Sequence, residues 1–380
     1  MVFRALAAAA PRVLRGAARM RLLKLTVRVV LSLAVSAVLM WLSLRNADLR
    51  AVGRAIASAD PWRMLGYAVI LLCIHVVRTV RWGILLEPLG HVGFKRLNSA
   101  SAVGFMLLMV LPFRLGEFAR PLLIARPPPG GRGATLRRSG AFASIVVERI
   151  VDGLAIGLLG IVALRMLGAE AAGRYAEFAR HASVLVALGF FALCLAVTFA
   201  FFLRDRAVQL TSAILKPLSP RLSHQASSML DAFIAALHLG SGWKSLAFFV
   251  LTAVYWGMNG LGLWLLAPAF GFRLEPLMIA TILAIQVVGV MVPAGPGMIG
   301  TMQFFTQAGL SLFVADAFTR GSDVAARAAG FANTVWMFQF GTQVALGVIF
   351  MLLGHVSLRG AWLSSPDATQ EADLAAPASP

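Results

Sequence analysis

Charged residues, cysteines and spaced histidines are scarce in this sequence. Only 13% of its 380 residues are charged, whereas 59% are hydrophobic and the mean hydropathy is +0.82. A chain of this composition does not form a soluble globular protein. Several apolar runs instead reach the roughly 20 residues that a helix needs to cross a bilayer. They leave no room for a soluble catalytic domain of about 100 residues.

The same scarcity argues against several kinds of chemistry. Cys73 and Cys194 both lie in apolar segments, so neither disulfide nor zinc chemistry is indicated. The six histidines show no metal-ligand spacing, and no G-x-x-x-x-G-K-[ST] nucleotide motif occurs. We therefore predict no metal and no other cofactor, and we find no catalytic motif.

Acidic residues are few as well, 16 against 34 basic ones, which gives a formal net charge of +18. The arginines lie in short loops between apolar segments, so positive-inside topology explains them better than nucleic-acid binding does. Residues 1–24 are basic and contain no acid. We interpret this segment as a cytoplasmic flank that orients the first span; the alternative is an Arg-rich transit peptide.

The apolar pattern predicts an all-α polytopic membrane protein of the bacterial inner membrane, with about six spanning helices and both termini cytoplasmic. Spans are expected near 25–45, 61–86, 140–167, 182–203, 244–267 and 329–354, inside a membrane domain that covers 25–355. A surface helix is expected within 48–60 and an amphipathic interfacial helix over 204–243. The tail 356–380 is rich in Ala, Pro and Ser and is expected to be disordered.

Two further apolar segments are interrupted by proline and glycine. If residues 97–125 crossed the membrane completely, the basic loops that follow would lie opposite the basic N-terminus. A hairpin broken at Pro112 removes this conflict. Residues 276–315 have a comparable break at 293–297. We therefore predict two re-entrant helical hairpins that enter from opposite faces, an arrangement that also suggests an inverted repeat.

Six charged residues lie within or beside these apolar runs: Arg114, Glu117, Arg120, Glu148, Arg149 and Asp152. Charges at membrane depth are costly and usually face a protein interior or an aqueous cavity. The first three are spaced by three residues, so they are predicted to share one helix face. Glu148 and Asp152 are expected to neutralise Arg114 and Arg120 across a cavity. The alternative is a buried network that only fixes helix packing.

The two predicted hairpin tips suggest an anion site. A half-helix that begins at mid-membrane directs its unpaired N–H groups and its positive dipole end toward the bilayer centre, and phosphate is the obvious anion of a lipid. At the second tip, Gly297 and Gly300 allow close backbone approach. Arg78 and Arg81 lie near the end of the second span, where they either snorkel to the interface or bind lipid headgroups.

Three motifs resemble, in this order, the transmembrane flippase-like domain of lysylphosphatidylglycerol synthases: PFRLGEFARPLLIAR, SIVVERIVDGLA and VPAGPGMIGTMQFF. The resemblance extends over about 25–355 and implies a polytopic lipid-translocation domain, as in stand-alone members of that family. Met298 and Gln303 depart from the pattern, in which a glycine and an acid are common. The resemblance implies substrate contacts at Arg114, Gly116, Glu117, Arg120, Glu148, Arg149, Asp152, Pro296, Gly297, Gly300 and, with altered chemistry, Gln303.

The sequence therefore predicts a flippase or transporter that moves a phospholipid or polyprenyl-phosphate lipid between leaflets. Membrane lipids with anionic headgroups are the expected partners, and nucleic acid is not expected to bind. The sequence leaves the oligomeric state undecided, with a homo-oligomer as one option. The synthase reaction is not expected, because no aminoacyl-transferase domain is recognised. Two alternatives remain. One is an intramembrane enzyme acting on headgroups, with Glu148 or Asp152 as general base; the other is a non-transporting accessory subunit of cell-envelope synthesis.

Overall fold

In a computed structural model, every regular element of the described residues is helical. The structure describes residues 12–125, 136, 138–166, 189, 192, 206, 209, 212–213, 242–292 and 295–353. Apart from isolated positions, the predicted span 182–203 and the predicted interfacial helix 204–243 lie outside the described residues. The tail 356–380 and the first 11 residues of the basic segment lie outside them too.

The described part of the chain contains ten α-helices, labelled here in chain order. Short 3₁₀ segments occupy Glu87–Leu89, Pro112–Phe118, Ala267–Phe270 and Pro296–Met298. The helices are α1 Arg12–Leu44, α2 Leu49–Ala57, α3 Pro61–Leu86, α4 Phe94–Val110, α5 Ala119–Ile124, α6 Arg138–Met166, α7 Gly242–Leu266, α8 Pro276–Val290, α9 Thr301–Leu310 and α10 Asp323–Leu352.

Polar residues at the helix starts explain several of these bounds. The side chains of Asp48, Asp60 and Ser322 each accept a hydrogen bond from a backbone N–H in the first turn of the following helix. Predicted spans 61–86 and 244–267 correspond to α3 and α7. The last helix begins at Asp323, several residues before the predicted 329, because Ser322 caps it there.

Three of the described elements are long and apolar enough to cross a membrane: Pro61–Leu89, Gly242–Phe270 and Asp323–Leu352. A fourth candidate is a bent pair, in which Val29–Leu44 and Leu49–Ala57 meet at 79°. Helix α6 has 29 residues, about 43 Å at 1.5 Å per residue, and carries three charged residues in its middle. These elements make the chain a multi-pass membrane protein.

Most of the described helices pack around two larger apolar clusters. The larger one joins α3, α7, α8 and α10 through residues such as Tyr67, Leu263, Ile282 and Phe331. The smaller one joins α3, α4, α5 and α6 around the fully buried Trp82. The strongly charged middle of α6 therefore lies beside the place where α3 and α4 meet.

Both predicted breaks reverse the chain direction. Helices α4 and α8, which precede the breaks, have 17 and 15 residues, so each is shorter than the roughly 30 Å hydrocarbon core of a bilayer. After the breaks, α5 packs against α4 and α9 packs against α8, and the two breaks contact each other. This reversal is what re-entrant hairpins require. The re-entrant hairpins themselves, their entry from opposite faces, the count of six spans and the inverted repeat stay predictions.

Candidate functional site

The first break carries a charged pair on an unusual backbone. Arg114 has φ 56°, in the left-handed region that few residues other than glycine adopt. Its guanidinium donates to Glu117 Oε1 at 2.7 Å, and its Nη1 donates to the Val290 carbonyl at 3.3 Å. Val290 is the last residue of α8, where unpaired carbonyls favour a cation. Arg114 therefore ties the first break to the C-terminal end of the helix that leads into the second.

The half-helix expected directly after Pro112 is displaced along the chain. Residues Pro112–Phe118 form a 3₁₀ segment, and the α-helical part begins only at Ala119 and has six residues. As a result, Arg120 does not share the surface of Arg114 and Glu117: it is 3% exposed and points toward α6. The prediction that all three share one face is wrong for Arg120, because no single helix runs through the three residues: Arg114 has a left-handed backbone, and the α-helical part begins only at Ala119.

The second break is a close-packed joint. Gly297 and Gly300 have φ 72° and 81°, and α9 begins immediately after them. The Gly295 N–H donates to Ser36 Oγ of α1 at 2.8 Å, and the Gly300 N–H donates to Gln303 Oε1 at 2.8 Å. The Gly297 carbonyl accepts a hydrogen bond from Trp336 Nε1 at 2.8 Å. These three backbone groups of the break are thus paired within the protein, whereas Thr301 Oγ1 and Gln303 Nε2 are buried without a partner among the described residues.

These contacts change the predicted role of the second tip. A phosphate cradle needs free N–H groups, but Gly295 and Gly300 already donate theirs to protein oxygens. A Cβ on Gly297 would meet the Phe340 ring, and Gly300 and Gln303 are buried. The glycines therefore serve close packing here, and substrate contact at Pro296, Gly297, Gly300 and Gln303 stays a prediction without geometric support.

A buried ionic network lies between α3, α5 and α6, and we call it the arginine–carboxylate network. Arg81 binds both carboxylate oxygens of Asp152 and donates to Glu148 Oε1 at 3.0 Å. Glu148 Oε2 accepts from Arg120 at 3.1 Å. Arg149 contacts Glu148 at 2.9 Å and Asp152 at 3.1 Å. Three guanidinium groups therefore share two carboxylates, with four of the five side chains almost fully buried.

The predicted neutralisation of arginines by the α6 acids is partly confirmed. Glu148 pairs with Arg120, as expected, but Arg114 pairs with Glu117 instead. Arg81 does not snorkel to an interface: its side chain is 0% exposed and lies at the centre of the network. The long side chain of Arg81 reaches α6 because α3 packs directly against α6, a pairing of helices that the sequence does not encode locally.

Arg78 is buried nearby without a carboxylate partner. It is 8% exposed, and its guanidinium carbon lies 3.6 Å from the centre of the Phe105 ring. The Arg120 guanidinium carbon lies 4.5 Å from the same ring centre, so Phe105 joins Arg78 to the network. Including Arg78, four arginines accompany two carboxylates, and the Arg114–Glu117 pair leaves that excess of two positive charges unchanged.

A small cavity lies beside Arg78, between α3, α4, α7 and α10. Its volume is about 40 Å³, room for roughly three water molecules. Neutral polar side chains from α7 and α10 face it, and Gln343 Oε1 has no hydrogen-bond partner among the described residues. The sequence alone does not single out the residues that line this cavity, because isolated polar or aromatic side chains in apolar helices carry little signal. These residues include His75, Phe105, Tyr255, Asn259, Gln339, Thr342 and Gln343.

The fold and this centre define a class: an all-helical, multi-pass membrane domain with two facing helix breaks and a buried, positively charged interior. The family described as "Lysylphosphatidylglycerol synthase TM region" matches residues 29–347. Because this match covers most of the chain, the protein belongs to that family. Comparisons with curated proteins and with solved structures gave no match.

Proposed function

We propose that this protein moves a lipid with an anionic headgroup between the leaflets of the bacterial inner membrane. Phospholipids and polyprenyl-phosphate lipids are the candidate substrates. The observation that carries the proposal is the excess of two positive charges buried around Phe105, because uncompensated charge in an apolar interior is strongly unfavourable. Membership of the synthase transmembrane family supports a lipid-related role.

The two facing breaks support passage of a headgroup through this interior. Arg114 and Glu117 are 25% and 23% exposed, so they are partly accessible, whereas the side chains of Arg120 and Glu148 are buried. Hydrocarbon tails would stay in the bilayer while the headgroup exchanges water for these charged groups. Arg114 also bonds to Val290 across the two breaks, so opening between the hairpins would release its guanidinium to the headgroup.

Leaflet exchange in proteoliposomes tests the proposal. Fluorescent phosphatidylglycerol would be reconstituted with the protein, and the fraction quenched by external dithionite would be followed over time. The wild-type protein and the surface variant Arg50→Ala should exchange the lipid, and Arg114→Ala should not. Exchange no faster than in protein-free liposomes, or undiminished exchange by Arg114→Ala, would contradict the proposal. Zwitterionic phosphatidylcholine serves as the charge comparison.

Headgroup chemistry is supported less well than transport. A general base has to accept a proton in its working state, yet Glu148 accepts hydrogen bonds from three arginines. Asp152 accepts hydrogen bonds from Arg81 and forms an ion pair with Arg149. Mass spectrometry of the lipid after incubation separates the two activities, since an enzyme changes the mass of the lipid and a flippase does not.

An accessory, non-transporting role has one specific observation in its favour. The arginine–carboxylate network is paired internally, which is the pattern expected if its charges only fix the packing of α3, α5 and α6. The same exchange assay decides this, because an accessory subunit would bind lipid without moving it.

The proposed topology places both termini in the cytoplasm and the first hairpin open to that side. Single cysteines replacing Lys95, at the start of α4, and Arg132, which lies outside the described residues, should both react only with a cytoplasmic membrane-impermeant thiol reagent. Reaction of either from the outside would replace the first hairpin by a complete span.

A further inference from the structure

The cavity beside Arg78 has the composition of an anion site. It is lined by side chains from four helices, and Arg78 supplies its only positively charged group among the lining residues, apart from the titratable His75. Asn259, Gln339 and Gln343 bring neutral amides, and the lining contains no carboxylate. A formal positive charge therefore faces a polar space with no group of opposite sign among its described lining residues.

Arg78 is the least compensated of the buried arginines. Its Nε is buried and has no hydrogen-bond partner, and no ion pair of Arg78 occurs within the described part of the chain. Its contacts are the faces of Phe105 at 3.6 Å and Tyr255 at 5.6 Å. A desolvated cation–π contact offsets only part of the cost of burying an ion.

Neighbouring charges do not relieve this deficit. Arg81, Arg120 and Arg149 take up both Glu148 and Asp152. Waters can fill the cavity and hydrate the Arg78 guanidinium, but they leave the excess charge in place. A bound anion removes one unit of that excess, and it also offers oxygens or lone pairs to the unpartnered N–H groups.

We infer that the cavity beside Arg78 binds one small anionic group. The ligand is either a free inorganic anion or the phosphate of a membrane lipid. The lipid source rests on the proposed transport function, whereas the inorganic source does not. The unpartnered Gln343 Oε1 would then accept a hydrogen bond from a hydroxyl or water on the ligand.

Thermal unfolding in a neutral detergent tests this inference without a bilayer. Purified full-length protein would be titrated with sodium chloride, sodium phosphate, short-chain phosphatidylglycerol and short-chain phosphatidylcholine, with sodium gluconate holding the ionic strength constant. A ligand that binds only the folded state raises the melting temperature in a concentration-dependent way. We expect at least one anionic probe to do so and phosphatidylcholine to have no effect.

Variants assign the effect to the cavity. Arg78→Met should weaken apparent affinity by at least about tenfold, the loss expected when a charge-assisted contact is removed. Without a binding anion this variant should melt no lower than wild type, because the uncompensated charge is gone. Gln343→Leu should weaken the apparent affinity less than Arg78→Met does. If Arg78→Met does not fold, the affinity of Gln343→Leu still tests whether the anion binds in this cavity. The surface variant Arg50→Gln should bind like wild type.

The outcomes separate the sources and the two proposals. Stabilisation by chloride or phosphate alone indicates a free anion, and stabilisation by phosphatidylglycerol alone indicates a lipid phosphate. A cavity that holds only water would show no response to any anion, or an equal response in wild type, Arg78→Met and Gln343→Leu, and either result overturns the inference. Anion binding without leaflet exchange would contradict the transport proposal but would still support the anion site.

Discussion

The two breaks follow the same proline-to-glycine pattern, Pro112 to Gly116 and Pro296 to Gly300, yet they are built for different tasks. The first holds Arg114 and Glu117 partly exposed and paired with each other. The second buries Gly300 and Gln303 and pairs the Gly300 N–H with the side-chain oxygen of Gln303. The shared sequence pattern therefore marks where the chain reverses. The surrounding side chains determine whether the break exposes charged groups or is buried by close packing.

The last glycine of each break makes a different joint. A Cβ on Gly116 would collide with the backbone of Leu107 and Leu108 in α4, the helix of its own hairpin. A Cβ on Gly300 would collide with the backbone of Ser36 and Met40 in α1, a helix from the other end of the chain. The first glycine closes a hairpin, and the second attaches a hairpin to a distant helix.

The largest effect should come from the network behind the first break. Glu148→Gln leaves Arg120 and Arg81 without part of their compensation, and breaking a buried ion pair costs about 3–5 kcal/mol. Chemical or thermal denaturation in detergent measures the loss. Glu87→Gln is the matched control, because its pair with Lys244 is about half exposed and such pairs contribute about 0–1 kcal/mol. Equal losses in both variants would mean that the network is hydrated.

Gly300→Ala should destabilise the protein by about 3 kcal/mol, since the new methyl group meets backbone atoms of α1 that no rotamer can move. The positive φ of Gly300 adds strain for alanine. Gly257→Ala in α7, where a Cβ meets nothing within 4 Å, should be neutral or slightly stabilising. The free energies of unfolding are compared. A tolerated alanine at 300 would show that α1 is not held there.

Gln303→Ala should cost about 1 kcal/mol, because it removes the oxygen that accepts the Gly300 N–H at the start of α9. Gln303→Glu keeps an acceptor at that position and matches the acid that the family pattern commonly has. We expect the glutamate variant to unfold at a higher denaturant concentration than the alanine variant. Equal midpoints would mean that the cap contributes nothing to stability.

Arg114→Gly should change stability least, by less than about 1 kcal/mol. Glycine relieves the left-handed backbone at φ 56°, a gain of about 1 kcal/mol, which offsets loss of the partly exposed pair with Glu117. Arg114→Ala lacks that relief and should be less stable than Arg114→Gly. Leaflet exchange should nevertheless fail in both. If the glycine variant still exchanges lipid, the guanidinium of Arg114 has no part in transport.

Much of the site's location follows from the sequence, because its signals are local. Proline and glycine mark the reversals near Pro112 and Pro296, and acids at 148 and 152 share one helix face. A pair of buried acids requires cationic partners, and the prediction that Arg120 is one of these partners is confirmed by its ion pair with Glu148. The substrate roles of these residues remain predictions.

Partners set by helix packing could not be predicted in the same way. Arg81 was placed near an interface because it lies five residues before the end of α3, but α3 packs on α6 and buries it. The distribution of charges offers a clue to this pairing. Arg78 and Arg81 lie three residues apart on one apolar helix, and the two acids of α6 need cationic partners. The docking of Gly300 on α1 had no comparable signal, since neither Ser36 nor Met40 is unusual in an apolar helix.

The contact between Ser36 and Gly295 also bears on how the chain is made. These residues are 259 positions apart, and ribosomes add about 5–20 residues per second, so α1 waits tens of seconds for the residues that cover it. During that interval the Ser36 hydroxyl and the backbone of Ser36 and Met40 are open to other membrane proteins. Insertion factors or chaperones that shield α1 should therefore influence the yield of this protein more than they influence its final stability.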